Sequence, residues 1–171
     1  MGFNFKHLIR GRVWKFGDSI ETDAINPYYR YPTMEELKQH TMEVYRPEFP
    51  REVKPGDIMV TGRNFGCGSS RPGLVLREVG IAAIIAESVS RLFLRNSISR
   101  AIPIFVAPGV TSLVEDGGTL EVDYPNGVVR NFASGASVTL RKYPPAIEQI
   151  FECGGLPEFA YQRYLREQAA S

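Results

Sequence analysis

Cysteine and histidine are scarce in this chain: Cys67, Cys153, His7 and His40 are the whole supply in 171 residues. Two cysteines cannot form a disulfide scaffold, and their scatter among the histidines has none of the spacings of a zinc site. A self-contained four-cysteine iron–sulfur cluster is excluded by arithmetic, so a cluster, if the chemistry needs one, comes from another chain. An excess of one charge is missing too. Lys and Arg number 20 against 19 Asp and Glu, and the net +1 gives no electrostatic case for nucleic acid or a membrane surface. No apolar run approaches the ~18 residues of a membrane-spanning helix. Residues 1–7 lack the apolar core of a secretion signal, and Lys6 stands where a myristoylation signal after Gly2 wants Ser or Thr. The expectation is a cytosolic protein. Internal repeats and low-complexity tracts are absent as well. What is present is a globular composition, 43% hydrophobic, sufficient for one domain of ordinary size over residues 1–171.

The most unusual stretch is Gly62-Arg63-Asn64-Phe65-Gly66-Cys67-Gly68-Ser69-Ser70-Arg71-Pro72-Gly73. The apolar run at residues 57–61 before it reads as a buried strand, and Leu74, Val75 and Val79 after it keep helical spacing. Strand, glycine loop and helix follow one another. The spacing expects Ser69 or Ser70 to cap that helix, with Pro72 in its first turn. Free N–H groups there would favour an anion, and the Arg71 fork matches a carboxylate or phosphate. The stretch looks like an anion site with two hydroxyls and a thiol beside it.

Along the rest of the chain, residues 8–16 suggest a strand and Gly17-Asp18-Ser19 a turn. A polar loop follows over residues 20–27, with Asp23 inside it. Tyr28-Tyr29-Arg30-Tyr31 is aromatic and basic together. Thr33-Met34-Glu35-Glu36 is a capping box that opens a helix to about Tyr45. Pro47, Pro50 and Pro55 then predict a linker without regular structure. Residues 81–86 form a continuous apolar strand, so strand, helix and strand make a βαβ unit with a parallel pair. A helix over 88–98, a strand over 102–106, a hairpin around Pro125-Asn126-Gly127, a strand over 137–140 and two closing helices complete the chain.

Four chemistries compete for the glycine loop. A phosphate-binding loop needs a Lys that is absent after Gly68. A nucleophile elbow needs Gly where Pro72 stands, and neither histidine has triad context. Cys67 as nucleophile lacks an evident base. The fourth is a carboxylate site, in which Arg71 clamps the substrate and a loop serine acts as base. A serine serves as base only where N–H donors and Arg71 stabilise its alkoxide. A plain tight turn is the alternative to all four.

Asn64-Phe65-Gly66-Cys67-Gly68-Ser69-Ser70-Arg71 resembles the signature of the isopropylmalate dehydratase small subunits, in the aconitase superfamily. Gly17-Asp18-Ser19-Ile20-Glu21-Thr22-Asp23-Ala24-Ile25 resembles that family's other motif. Lys54-Pro55-Gly56-Asp57-Ile58, Ala86-Glu87-Ser88 and Phe93-Leu94-Arg95-Asn96 resemble it in the same order, over a motif core of about residues 9–110. The resemblance implies an α/β fold, the swivelling β/β/α domain of the aconitase C-terminal type, with a partly parallel sheet and flanking helices. The C-terminal hairpin and helices occupy residues 111–171. It also implies a separate large subunit that holds a [4Fe-4S] cluster, with no cofactor in this chain, and a reaction that dehydrates and rehydrates a 2-hydroxy dicarboxylate.

By position in the motif, the resemblance makes Ser69 the base and Arg71 the ligand of a substrate carboxylate, assisted by Ser70. Asp23 joins the acid–base network around the departing hydroxyl. The segment after Asp23 would read the variable side of the substrate. There Arg30 suits a distal carboxylate, as in a homoaconitase-like enzyme, while Tyr28 or Tyr29 suits an isopropyl or methyl group. A solvated surface arginine is the alternative for Arg30. Cys67 and Cys153 read as packing residues and His40 as a polar helix residue. Arg91 and Arg95 read as partner contacts or solvated charges. Pro72-Gly73-Leu74 replaces the Glu-His-Ala of many members, and the segment at residues 28–31 is shorter than usual. Both differences leave the substrate open, among isopropylmalate, 2-methylmalate, dimethylmalate and homoaconitate, and a non-catalytic carboxylate-binding module is the alternative to an enzyme.

Overall fold

The computed structural model describes residues 8–169. The N-terminal signal and myristoylation readings and His7 fall outside these described residues. Four short, largely apolar strands, β1 (Ile9–Lys15), β2 (Ile58–Thr61), β3 (Ala83–Ala86) and β4 (Ile104–Val106), lie side by side in parallel. Three more, β5 (Thr119–Asp123), β6 (Val128–Asn131) and β7 (Ser137–Thr139), continue the sheet as an antiparallel meander. The spatial order is β4-β3-β2-β1-β5-β6-β7. β1 is the seam: Val13 lies opposite Ile58 in parallel, while Gly11 lies opposite Leu120 in antiparallel.

Parallel neighbours need crossovers, and helices supply them. α1 (Thr22–Ile25), α2 (Met34–His40) and α3 (Phe49–Glu52) fall between β1 and β2; α4 (Leu74–Glu78) joins β2 to β3, and α5 (Arg91–Ser99) joins β3 to β4. α6 (Val110–Leu113), α7 (Pro145–Cys153) and α8 (Leu156–Ala169) complete the order, and none of the described helices is long and apolar enough to cross a membrane.

Period-two alternation divides the apolar residues between two cores. Val13, Ile58, Val60, Ala83, Ile85 and Phe105 face one way, onto Leu120, Val122, Val129 and Phe151. Trp14, Met59, Ile84, Ala86 and Ile104 face the other way, onto Ile25, Phe49, Phe65, Leu76 and Phe93. In the second core Phe49 packs edge-on against Trp14, with ring centroids 5.0 Å apart, and Phe65 does so against Phe93 at 5.3 Å. Each fully buried phenylalanine contributes about 1.5–3 kcal/mol relative to an exposed one.

The mixed sheet with flanking helices agrees with the expected architecture, and four local expectations are corrected. The proline linker is not irregular, because α3 places Pro50 in its first turn, where a missing N–H costs nothing. The capping box at Thr33 and Glu36 forms as expected, but its helix stops at His40 rather than near Tyr45. There Thr41 turns extended and buried Met42 takes a left-handed backbone, φ 61°. α5 begins at Arg91 because Phe65 pairs with Val89 in an isolated bridge, which holds that stretch extended. Finally, α4 begins only at Leu74. Gly73 stands at its cap, and neither Ser69, Ser70 nor Pro72 belongs to the helix.

Candidate functional site

The loops that leave β1, β2 and β3 gather at the C-terminal ends of the parallel strands, where open α/β sheets bind their ligands. Two of these loops are joined along their length by backbone hydrogen bonds. Gly62 N–H donates to Gly17 O at 3.1 Å, Ser19 N–H to Arg63 O at 2.7 Å, Gly66 N–H to Ile20 O at 2.9 Å and Thr22 N–H to Cys67 O at 2.9 Å. The Asp18 carboxylate accepts the Arg63 N–H at 2.7 Å. A side chain on Gly62 would collide with that carboxylate, its Cβ only 1.9 Å from Asp18 Oδ1. At Gly66, φ is 74° and a Cβ would lie 2.2 Å from the Phe93 ring. These glycines are required by close approach, and the approach holds the motif around Asp23 against the motif around Ser69.

Two side-chain pairs span this junction. Thr22 Oγ1 and Ser69 Oγ are 3.0 Å apart, and Thr22 Oγ1 also accepts the Ser69 backbone N–H at 2.9 Å. Arg71 Nη1 donates to Asp23 Oδ1 at 2.8 Å. The Arg71 guanidinium also lies over the Tyr29 ring, 4.0 Å from its centroid. Tyr29 is itself 82% exposed. Arg71 is thus oriented by an acid and an aromatic face, with the rest of its fork available to a planar anion. Ser70 is exposed, and its carbonyl accepts from the Asn96 side chain of α5. Cys67 donates its thiol weakly to Ile20 O at 3.6 Å and is half-buried, which suits a packing role.

Amides at a helix start do not form the anion site expected there. α4 has five residues and starts beyond the loop, so its dipole is slight, and Arg71 is the cationic group beside Ser69 and Ser70, with Arg63 at the start of the loop. Ser69 lies in irregular backbone, held by Thr22.

Beside the paired loops is a cleft of about 250 Å³. Two chain segments line it: Asp23, Ala24, Pro27, Tyr29, Arg30 and Tyr31 from residues 23–31, and His40, Glu43 and Val44 from the end of α2 and the turn after it. Arg30 is exposed at this cleft, and Arg71 adjoins it through Asp23 and Tyr29, while Ser69 is held by Thr22, the neighbour of Asp23 in the chain. The His40 ring stacks on Tyr31, 3.6 Å between centroids, and its Nδ1 lies 2.8 Å from Glu43 Oε2.

Of the residues singled out from the sequence, Ser69, Asp23, Arg71 and Tyr29 come together, Ser70 adjoins them, and Arg30 faces the neighbouring cleft. Sequence reasoning missed Thr22, Asn96, His40 and Val44. Thr22 sits within a motif already quoted, but nothing in a linear pattern says which hydroxyl faces Ser69. Glu87, from another quoted motif, serves the fold. It accepts the Gly109 N–H at 2.7 Å and the Thr111 N–H and hydroxyl at 2.9 and 2.6 Å. Burial would raise its carboxyl, but these donors carry it below the ordinary glutamate range.

Among the described residues, no group of three His, Cys, Asp or Glu side chains is placed to hold a metal. Cys67 lies in the glycine loop and Cys153 ends α7, so they do not form a shared ligand set.

Comparison with known proteins adds an independent line. Residues 6–107 match the family model described as the aconitase C-terminal domain. The isopropylmalate/citramalate isomerase small subunit of Methanocaldococcus jannaschii is 42% identical over 167 residues, covering 95% of this chain and 99% of that protein. The methanogen homoaconitase small subunit of Methanothermobacter thermautotrophicus is 43% identical over 153 residues, 87% of this chain and 88% of that one. Among solved structures, a 3-isopropylmalate dehydratase from Methanocaldococcus jannaschii superposes with a TM-score of 0.88. It is 33% identical and covers 96% of this chain and 100% of that one.

Proposed function

From this chain's membership of the aconitase C-terminal domain family, we propose that it is the small subunit of a cytosolic, two-chain hydro-lyase of the isopropylmalate dehydratase type. The reaction moves the hydroxyl of a 2-hydroxy dicarboxylate by dehydration to the alkene and rehydration at the neighbouring carbon. The carrying observation is the pair of contacts across the two loops, Thr22 with Ser69 and Asp23 with Arg71.

Ser69 takes the proton from carbon. Its hydroxyl is a weak base in water, so the site has to favour the alkoxide over the alcohol. Thr22 fits that need. One lone pair of Thr22 Oγ1 is occupied by the Ser69 N–H, and its own proton is able to turn to Ser69 Oγ. Arg71 adds positive charge nearby and binds one substrate carboxylate through the part of its fork that Asp23 leaves open. Asp23 holds Arg71 in place through Oδ1 and joins the acid–base network around the departing hydroxyl through its other oxygen. Ser70, next to Ser69 and held through its carbonyl by Asn96, offers a further hydroxyl to the carboxylate.

The rest of the site belongs to a large subunit. In this reading that partner carries a [4Fe-4S] cluster, which supplies Lewis-acid assistance to the departing hydroxyl. This chain acts, as one domain over residues 1–171, on the proton and the carboxylate. Closure of the two chains excludes water from the exposed side of Ser69 and Arg71, where every charge interaction then strengthens. Isopropylmalate is the favoured substrate. Arg30 at the cleft keeps open a substrate with a distal carboxylate, the alternative that a homoaconitase-named relative also favours.

The test is co-expression with a large subunit, followed by an ultraviolet assay of alkene formation. Turnover appears only when both chains are present, and Ser69→Ala lowers it by about 10²–10⁴-fold while the complex still assembles. Tight dicarboxylate binding by the isolated chain, with no turnover in any pair, overturns this reading in favour of a non-catalytic carboxylate-binding module.

A further inference from the structure

Resting on that reading, we infer that the turn after α2, residues 40–44, is the second wall of the substrate cleft, and that Val44 is the side chain that meets an alkyl substituent of the substrate. The residues that follow Asp23 supply only part of the cleft's lining; His40, Glu43 and Val44 supply the rest. Val44 is 71% exposed. An isolated exposed valine needs no explanation, but this one lines a concave surface that adjoins Asp23 and, through Tyr29, Arg71.

The wall is held rigidly against the reacting side. Thr41 donates its hydroxyl to Ile25 O at 2.7 Å, and the Met42 N–H donates to Ala24 O at 2.8 Å. Both acceptors belong to α1, the helix that also carries Thr22 and Asp23. Met42 is fully buried in a left-handed conformation, a cost the surroundings must hold in place, and sites that position ligands are where such strain collects. The His40 ring on Tyr31 fastens the two walls to each other. The distance from Val44 to the reacting groups is therefore set by α1 and does not depend on the aromatic segment alone.

The chemistry of the wall selects the ligand. Val44, Ala24 and Pro27, all in the lining, offer apolar contact to a short branched alkyl group. Glu43 and Asp23 line the same space, and two carboxylates there oppose an additional, distal carboxylate in place of the alkyl group, away from Arg30. Selectivity then follows from Val44 and Glu43 on one side and Arg30 on the other.

The experiment uses the assembled two-chain enzyme and three probes: 3-isopropylmalate, 2-methylmalate and a homologue with a distal carboxylate. Val44→Asp lowers kcat/KM for 3-isopropylmalate at least tenfold more than for 2-methylmalate, chiefly through KM. Val44→Ala shifts the same ratio in the same direction by a smaller factor, and it decides the matter if Val44→Asp does not assemble. Glu43→Gln improves relative turnover of the distal-carboxylate probe. Ratios within twofold of the parent enzyme in both Val44 variants overturn the inference. So does a parent enzyme that accepts only the distal-carboxylate probe, and in that case the hydro-lyase reading stands. Ser69→Ala separates the two readings, since it lowers turnover of every probe alike and leaves their ratios unmoved. Turnover of none of the probes by the parent enzyme overturns the hydro-lyase reading and this inference together.

Discussion

Thr22 Oγ1 stands 3.0 Å from Ser69 Oγ, across 47 positions of sequence, and is almost completely buried. Were Ser69 to lose its proton, Thr22 would be the donor of that bond. A hydrogen bond to a charged group is worth about 1.5–3 kcal/mol, so Thr22→Val is expected to lower kcat roughly tenfold to a hundredfold. Thr22→Ser, which keeps the hydroxyl, retains most of the rate. Steady-state assay of the reconstituted pair checks both, and equal rates for the valine and serine variants refute the donor role.

In the proposed reaction Ser69→Ala removes the base itself. General-base contributions run to about 10²–10⁴-fold, so the expected loss is of that size, with KM little changed and assembly intact by gel filtration. A variant within threefold of the parent rate would show that the base lies elsewhere.

Arg71 is held by Asp23 at 2.8 Å and by the face of Tyr29. Lysine cannot reproduce a planar fork held in this way, so Arg71→Lys is expected to raise KM strongly and to lower kcat/KM by about 10²-fold. Asp23→Asn keeps an acceptor but loses the charge, and its effect on KM should be smaller. Titration of a substrate analogue by calorimetry measures this order directly; an Arg71→Lys affinity equal to that of the parent removes Arg71 from carboxylate binding.

Gly66 sits at φ 74° with the Phe93 ring 2.2 Å from where a Cβ would be. Gly66→Ala combines backbone strain with overpacking, each costing about 1–3 kcal/mol. Thermal unfolding of the isolated chain should show the loss as a clearly lower Tm. Gly17→Ala is the control, because its Cβ meets nothing within 4 Å.

Asp57 connects stability to pH. Burial would raise its carboxyl, but donation from Arg12, the Lys54 N–H and Trp14 Nε1 outweighs that and holds it below the ordinary aspartate value. A depressed folded-state value means the contribution is complete above the unfolded value of about 3.9 and is lost as pH falls through the folded one. Asp57→Asn should therefore lower Tm most at neutral pH, with the difference from the parent narrowing below about pH 4. A Tm difference constant from pH 7 to about pH 3 would contradict the sign worked out here.

Much of this was legible in the linear chain. Continuous apolar runs such as residues 81–86 mark strands buried on both faces, because parallel pairing covers both sides with other elements. The capping box at Thr33 and Glu36 marks a helix start through local hydrogen bonds alone. The cluster of glycine, serine and arginine at residues 62–73 marks a site. Less legible were the ends and the short elements. α1 and α6 have four residues each and no strong periodicity, and α2 is cut short by a conformation at Met42 that methionine itself does not prefer.

Composition and local pattern determined which groups the chain has to offer: two cysteines and two histidines, a carboxylate-matching arginine and two hydroxyls in one loop. Those are properties of covalent structure and of near neighbours, and they hold before the chain folds. Which hydroxyl faces Ser69, which acid orients Arg71 and which turn walls the cleft are long-range matters. They depend on β1 and β2 pairing in parallel, so that the loop after one strand lies along the loop after the other. Residues 22 and 69 meet because backbone hydrogen bonds and a close approach at Gly62 and Gly66 hold two distant loops together, and no nearest-neighbour preference contains that information.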